Sequence, residues 1–253
     1  MDEHLVANRI RELAERCENQ RIYTYTTFLG LSGQDVFYGI EKELKRIPHQ
    51  MHGGINAYER MILRFGDAEM LGYEEAFPIR LIKIAPRNAK FADTLSHRDF
   101  LGALMNQGIE RDTIGDIFVQ DNTGYVYCTD TMAETISEGL TRVKHTEVRC
   151  SVIEDAEGLR QDQPTEERIV VNAPRIDAVI AKVYHLSRNE SDDLLKKALV
   201  RINGRVCESA SVMLKENDGV SVRGYGKFDF LGVSGNTAKG KVAAQVAVYG
   251  KDL

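Results

Sequence analysis

Tryptophan is absent from this 253-residue chain, and it has only five prolines and four cysteines. With 43% hydrophobic and 28% charged residues, that composition is of the ordinary soluble globular kind, so disorder is not the default expectation. Cys17, Cys128, Cys150 and Cys207 show no Cys-x-x-Cys spacing, which argues against a zinc site and against a disulfide framework. They read as small apolar fillers or free thiols. No apolar run of about 18 residues is present to span a bilayer. Met1-Asp2-Glu3-His4 opens an amphipathic pattern where an export signal would be basic and apolar, so the expected location is cytoplasmic, with no membrane partner.

What is present is an uneven charge distribution. The net charge is -5, but residues 174–253 hold 13 Lys and Arg against 9 Asp and Glu, while residues 1–173 hold 20 against 29. Phosphate binding depends on local rather than total charge, which points to the C-terminal part. The length suits two or three small domains.

Helical spacing of Leu5, Val6, Ile10, Leu13, Ala14 and Cys17, behind Asp2 as N-cap, predicts a first helix. Val36, Phe37, Ile40 and Leu44 predict a second, ending before Pro48. A third is expected after Gly53-Gly54, with Ile55, Tyr58, Met61, Ile62 and Phe65 on its face and Gly66 as its stop. Residues 1–72 therefore read as a mainly helical region.

From Phe77 the pattern changes. Residues 79–84 read as a strand, Ser96 opens a helix to about Gln107, and residues 117–119 and 125–128 form a hairpin through Asp121-Asn122-Thr123-Gly124. A helix over 131–140 and a strand over 147–153 complete the order β-α-β-β-α-β, a ferredoxin-like (RRM-like) domain expected over residues 73–154. Residues 155–173 are polar and acidic at first and read as a linker or connecting segment, with a strand from about 168 before the last domain. The fold class is α+β.

The strongest local signal lies in residues 174–253. Ile176, Val179, Ile180 and Val183 give one helix a buried face, with Arg175 and Lys182 outward. Ser187 caps a second helix, which buries Leu194, Leu195 and Ala198 and shows Arg188, Lys196 and Lys197, with Asp192 and Asp193 ahead of the two lysines. Asn203-Gly204 makes a hairpin turn, and Gly219-Val220-Ser221-Val222 joins the flanking strands in a small sheet under the helices. This order resembles the S-four domain, the RNA-binding module named after a small-subunit ribosomal protein. The resemblance implies RNA contact by the two helices and their loop, through Arg175, Lys182, Ser187, Arg188, Lys196 and Lys197, with Arg201 and Arg205 beside them. The family's glycine after the second helix is Ala198 here. Taken alone, the same cations are a solvated helix face; the ordered motifs favour RNA, with its phosphates met by Lys and Arg and its shape read by the surface.

The full length adds to this. Gly53-Gly54 with Ala57-Tyr58-Glu59-Arg60, residues 97–104, Gly108-Ile109-Glu110-Arg111, Ile114-Gly115-Asp116-Ile117 and Arg223-Gly224-Tyr225-Gly226-Lys227-Phe228 resemble the YlmH family; residues 21–45 match least. The resemblance implies a bacterial factor, often encoded among cell-division genes, that binds rRNA of the large ribosomal subunit and tRNA in ribosome-associated quality control. It implies no enzyme activity and no cofactor.

Other motifs are weaker. His97-Arg98-Asp99 lacks the asparagine a kinase loop needs, Leu104 standing in its place. A Ser96–Asp99 helix-capping pair is the plainer reading, with RNA contact by Arg98 as a lesser one. Gly224-Tyr225-Gly226-Lys227 lacks Walker spacing and reads as a turn. There Arg223 and Lys227 suit phosphates and Tyr225 and Phe228 suit a base, against local packing. His49 and His52 lack a completing ligand set, so no metal is expected. Tyr125 and Tyr127 share a strand face, with packing favoured over base stacking. The competing functions are an RNA-modifying enzyme, whose catalytic signatures are missing, and a cell-division interaction protein.

Overall fold

The computed structural model describes residues 3–54, 59–154, 164–236 and 240–249. The chain divides into two compact units, Met1–Arg160 and Gln161–Leu253.

The first unit begins with α1 (Glu3–Gln20), which buries Ala7, Ile10, Leu13, Ala14 and Cys17. Leu5, expected on that face, is 65% exposed, and the expected cap Asp2 lies outside the described residues. β1 (Thr24–Leu29) follows, rich in the Thr and aromatic residues that suit a pleated surface. Next come α2 (Leu31–Ile40) with a 3₁₀ turn over Glu41–Leu44, then β2 (His49–His52) and β3 (Met61–Phe65). β3 is the centre of an antiparallel sheet in the order β1-β3-β2.

This corrects the third helix expected around Ile55 to Phe65 and the mainly helical reading of the region. Residues 61–65 are a strand, while Ile55 and Tyr58 lie outside the described residues. The cause is two-sided burial. Leu63 and Phe65 join the core under α1 and α2, whereas Ile62 packs on the other side with Phe28, Leu81 and Tyr127. A strand apolar on both faces has no period of two, and its run of apolar residues fits helical spacing by accident.

A one-turn helix α3 (Ala68–Leu71), capped by the Asp67 side chain at 2.8 Å from the Met70 amide, leads into the central part. There β4 (Ile79–Pro86), α4 (His97–Asn106), β5 (Ile114–Gln120), β6 (Thr123–Thr129), α5 (Asp130–Gly139), β7 (Arg142–Val143) and β8 (Thr146–Ile153) appear in turn. The sheet order is β5-β6-β4-β8-β7, with every neighbouring pair antiparallel. The expected β-α-β-β-α-β order is present, with β7 added. Asp121 and Asn122 turn the hairpin with φ of 49° and 59°, the paired positive values of a type I′ turn. Phe100 and Leu104 of α4 and Ala133 and Ile136 of α5 cover Ile82, Ile84, Val126, Cys128 and Val148.

The opposite face of this sheet meets the N-terminal sheet through Phe28, Ile62, Leu81 and Tyr127. Arg60 binds the two sheets together, donating to the carbonyls of Ile114 (2.8 Å), Phe28 (2.9 Å) and Arg111 (3.1 Å). Gly54, at φ +105°, lies so close under the Tyr127 ring that a Cβ would overlap it, which is the physical demand behind a glycine there.

The second unit contains β9 (Thr165–Val171), α6 (Ile176–Val183), α7 (Arg188–Lys196), β10 (Val200–Ile202), β11 (Arg205–Val206), β12 (Asp218–Val222), β13 (Gly226–Asn236) and β14 (Val242–Tyr249). Its sheet runs β11-β10-β12-β13-β14-β9. Ile176, Val179, Ile180, Val183 and Leu195 pack on Val200, Val220, Val222, Phe228, Phe230 and Val246. The expected small sheet is thus a six-stranded one, and residues 165–171 of the segment read as a connection are its edge strand.

Candidate nucleic-acid interface

The geometry of the second unit follows from how its two helices end. α6 stops in a Schellman turn. The Leu186 amide donates to the Ala181 carbonyl at 2.9 Å, and the turn residue His185 sits at φ 56°. Two residues later Ser187 caps α7 through a reciprocal box: its Oγ accepts from the Glu190 amide at 3.2 Å, and the Glu190 carboxylate accepts from the Ser187 amide at 2.7 Å. These bonds hold the Glu190 carboxyl below its ordinary pKa. α7 ends in a second Schellman turn, with Leu199 N–H on Leu194 O at 3.0 Å and Ala198 N–H on Leu195 O at 2.9 Å. Ala198 is the left-handed residue, at φ 54°. It is exposed, which corrects the expectation that it is buried.

A left-handed alanine is strained where glycine is not. Ala198→Gly is therefore expected to stabilise the second unit by about 0.5–1 kcal/mol, seen as a raised calorimetric midpoint. A lowered midpoint would contradict the strain argument.

These turns set exposed side chains at both ends of α7 and on the β12–β13 turn beside it. The Arg223 amide donates to Leu199 O at 2.9 Å, which ties the β12–β13 turn to the end of α7 beside Lys197. Tyr225 of the same turn, 43% exposed, packs against Tyr184 at the end of α6, with ring centroids 5.6 Å apart. Burial pushes the Tyr184 phenol up. Among the described residues Lys182, Arg188, Lys197 and Arg223 are exposed and make no side-chain hydrogen bond or ion pair. Exposed guanidinium and ammonium groups beside an exposed ring, on turns fixed by backbone bonds, are suited to phosphates and an adjoining base.

The other expected contact residues are engaged within the fold. Arg175, expected to point outward, stands at the N-cap position of α6 and its side chain closes a two-pronged pair with the buried Asp177 carboxylate at 3.0 and 3.1 Å. The Ser187 hydroxyl is held in its capping box. Lys196 Nζ lies 2.6 Å from Asp192, whose carboxylate raises the pKa of the lysine. Arg201 donates to Gly204 O at 3.0 Å across the Asn203-Gly204 turn, and Arg205 is exposed on β11 opposite Ile202. Lys227 Nζ sits 3.9 Å from Asp229 and 5.3 Å over the Tyr249 ring, and burial lowers its pKa. Phe228, considered for base stacking, is fully buried in the core. His185 and Tyr184 were not anticipated, because neither stands in a motif; the aromatic just before the Leu-Ser cap was the available signal.

In the first unit, Ser96 and Asp99 do form the expected capping box, with Asp99 accepting from the Ser96 amide at 2.8 Å. Those bonds and Lys144 at 2.9 Å hold the Asp99 carboxyl at about 2. His97 and Arg98 are exposed at the helix start. Tyr127 is 4% exposed and packs with Phe118 and the N-terminal sheet, so packing is its role. His49 meets Phe37 edge-on and His52 lies tilted against Phe77, each in a separate cluster. Among the described residues no group of His, Cys, Asp and Glu is placed to hold a metal.

Residues 73–157 match the family model described as "Putative RNA-binding domain in YlmH", and residues 174–220 match the S4 domain. The chain thus carries a match to the YlmH RNA-binding domain followed by a match to the S4 domain. The YlmH-type domain spans β4 to β8, and the S4 domain spans α6 to β12. A curated relative, "Ribosome-associated protein quality control protein P2" of Bacillus subtilis (strain 168), is 31% identical over 158 residues. That alignment covers 61% of this chain and 62% of the relative. The solved structure "Cell division protein ylmH from Streptococcus pneumoniae" is 18% identical with a TM-score of 0.49, covering 62% of this chain and 94% of that one. No helix of the described residues is long and apolar enough to cross a membrane.

Proposed function

We propose that this chain is a non-enzymatic RNA-binding factor of the cytoplasm that binds rRNA and tRNA on the large ribosomal subunit, in the quality control of stalled peptidyl-tRNA complexes. The observation that carries the reading is that Lys197 and Arg223 stand exposed where the β12–β13 turn, with Tyr225, is tied to the end of α7, while Arg188 stands exposed at the start of the same helix. Such a surface reads phosphates and shape rather than base edges, which fits structured RNA. The YlmH-type domain ahead of it and the name of the Bacillus relative support the ribosomal setting. The reading requires no cofactor.

Full-length protein mixed with purified large subunits is expected to cosediment at low salt and to leave them progressively as salt rises, because phosphate contacts release counterions. Sedimentation with free tRNA or small subunits but not with large subunits would move the site of action elsewhere. Absence from all RNA fractions at low salt would remove the RNA reading.

A further inference from the structure

The helix-free face of the central sheet has two unlike halves. Along β4, Ile79 and Leu81 are followed on the same face by Lys83 and Ala85, with Arg87 just beyond the strand. On β8 the partners are Ile153 opposite Leu81, Ser151 opposite Lys83 and Arg149 opposite Ala85. On β6, Tyr127 lies opposite Leu81 and Tyr125 opposite Lys83. The apolar half is covered by Phe28 and Ile62 of the N-terminal sheet. The other half is an open concavity of about 630 Å³, lined by Lys83, Ala85, Pro86, Arg87, Arg149 and Ser151.

Three cations and no carboxylate line this concavity. Lys83 and Arg149 are diagonal neighbours on adjacent strands, a separation of about 7–8 Å. Arg87 stands at the rim, its Nε 3.4 Å from the Val148 carbonyl. It also borders the neighbouring hollow formed with Thr141, Arg142 and Glu147. Cations spread along two strands, instead of converging on one point, suit a row of phosphates better than a single small anion. Ser151 adds a neutral hydroxyl between them, and the half-buried Tyr125 stands beside Lys83.

We infer that the open half of this sheet, through Lys83, Arg87 and Arg149, is a second RNA-binding surface that holds the sugar-phosphate backbone of an RNA strand. The inference rests on the RNA-binding reading above and on the match of residues 73–157 to a putative RNA-binding domain, and adds which face of that domain, and which of its residues, meet the RNA. Because the Tyr127 ring is buried under the N-terminal sheet, this half-sheet binds without stacking bases on that residue, and its contribution is independent of sequence.

The test uses the full-length chain, fluorescently labelled bulk tRNA as probe, and anisotropy across a salt series. Lys83→Gln with Arg149→Gln is expected to weaken low-salt binding about tenfold and to reduce the slope of log K against log salt by roughly 1.5 to 2. A charge-retaining Lys83→Arg with Arg149→Lys variant is expected to bind as the wild type does, separating loss of charge from loss of fold. Wild-type binding with unchanged affinity and slope in the glutamine variant overturns the half-sheet site alone. Failure of the charge-retaining variant to bind, or equal loss in both variants, also overturns it. No tRNA binding by the wild-type chain overturns the RNA reading and this inference together.

Discussion

Reversing two charges, Arg188→Glu with Lys197→Glu, is expected to weaken binding of the full-length chain to large ribosomal subunits about a hundredfold at low salt and to cut its salt slope by about 2. Arg188 opens α7 and Lys197 caps its far end, so the pair brackets the helix nine residues long. Both are exposed, and neither makes a side-chain bond within the described residues. Little folding stability is therefore at stake. Glutamate at the helix start suits the dipole, and glutamate at the end opposes it by roughly 0.3–1 kcal/mol. The comparison that gives this experiment its meaning is Lys196→Glu. Lys196 is already paired with Asp192 at 2.6 Å, so its loss removes a partly neutralised charge and is expected to cost less than either half of the double variant. Sedimentation at several salt concentrations measures all three. Unchanged sedimentation of the double variant would place the RNA contact elsewhere on the unit.

That contrast among lysines on one helix shows where sequence reading stops. Residues whose structure is set locally were legible. Ser187 and Glu190 stand at capping-box spacing, and Asn203-Gly204 takes up φ values of 51° and 81°. Asp121-Asn122 does the same in the first unit. The element order from β4 to β8, β7 apart, was legible too, since turn and capping residues bound each apolar run there even where β4 and β6 are buried on both faces. β3, buried on both sides as well, has no such signals, and its apolar run fitted helical spacing. β13 and β14 were missed for a related reason: bulges between Phe230 and Gly232 and between Val233 and Gly235 break the alternation of β13, and Val242–Tyr249 is nearly all apolar.

For the site, sequence spacing gives the face on which a charge stands but not what else reaches it. Arg175 and Lys182 look equivalent on the pattern of α6, yet Arg175 folds back onto Asp177 and Lys182 does not. The grouping of Lys197 with Arg223 depends on the β10–β12 pairing, Val200 opposite Val222 and then Arg223 N–H on Leu199 O, between residues 24 positions apart, and no local pattern encodes it. The basic half of the central sheet was invisible for the same reason. Lys83, Arg87 and Arg149 form no run in sequence and meet only through the antiparallel register of β4 and β8.

The second large effect is expected from Arg60→Ala, which should destabilise the first unit by about 3 kcal/mol and lower its midpoint by roughly 6–12 °C. The guanidinium donates to three carbonyls from three segments, Phe28 of β1, Arg111 of the turn before β5, and Ile114 of β5. Burial and the neighbouring Arg111 lower its pKa to about 10, so it remains charged at neutral pH. After truncation Ile114 O still accepts from Arg111 at 2.8 Å, but the Phe28 and Arg111 carbonyls lose the charged donor in a half-buried place. Arg60→Lys keeps the charge and still loses most of the effect, because one ammonium lacks the planar fork that reaches all three acceptors. Calorimetry of both variants checks this, and midpoints within about 2 °C of the wild type would show that the joint is held by the apolar contacts alone. The joint also covers Tyr127 and leaves the basic half of the same sheet open. A weakened joint is therefore expected to raise the access of solvent to Tyr127 while Lys83 and Arg149 keep their places on β4 and β8, so that loss of stability and loss of tRNA binding separate in this variant.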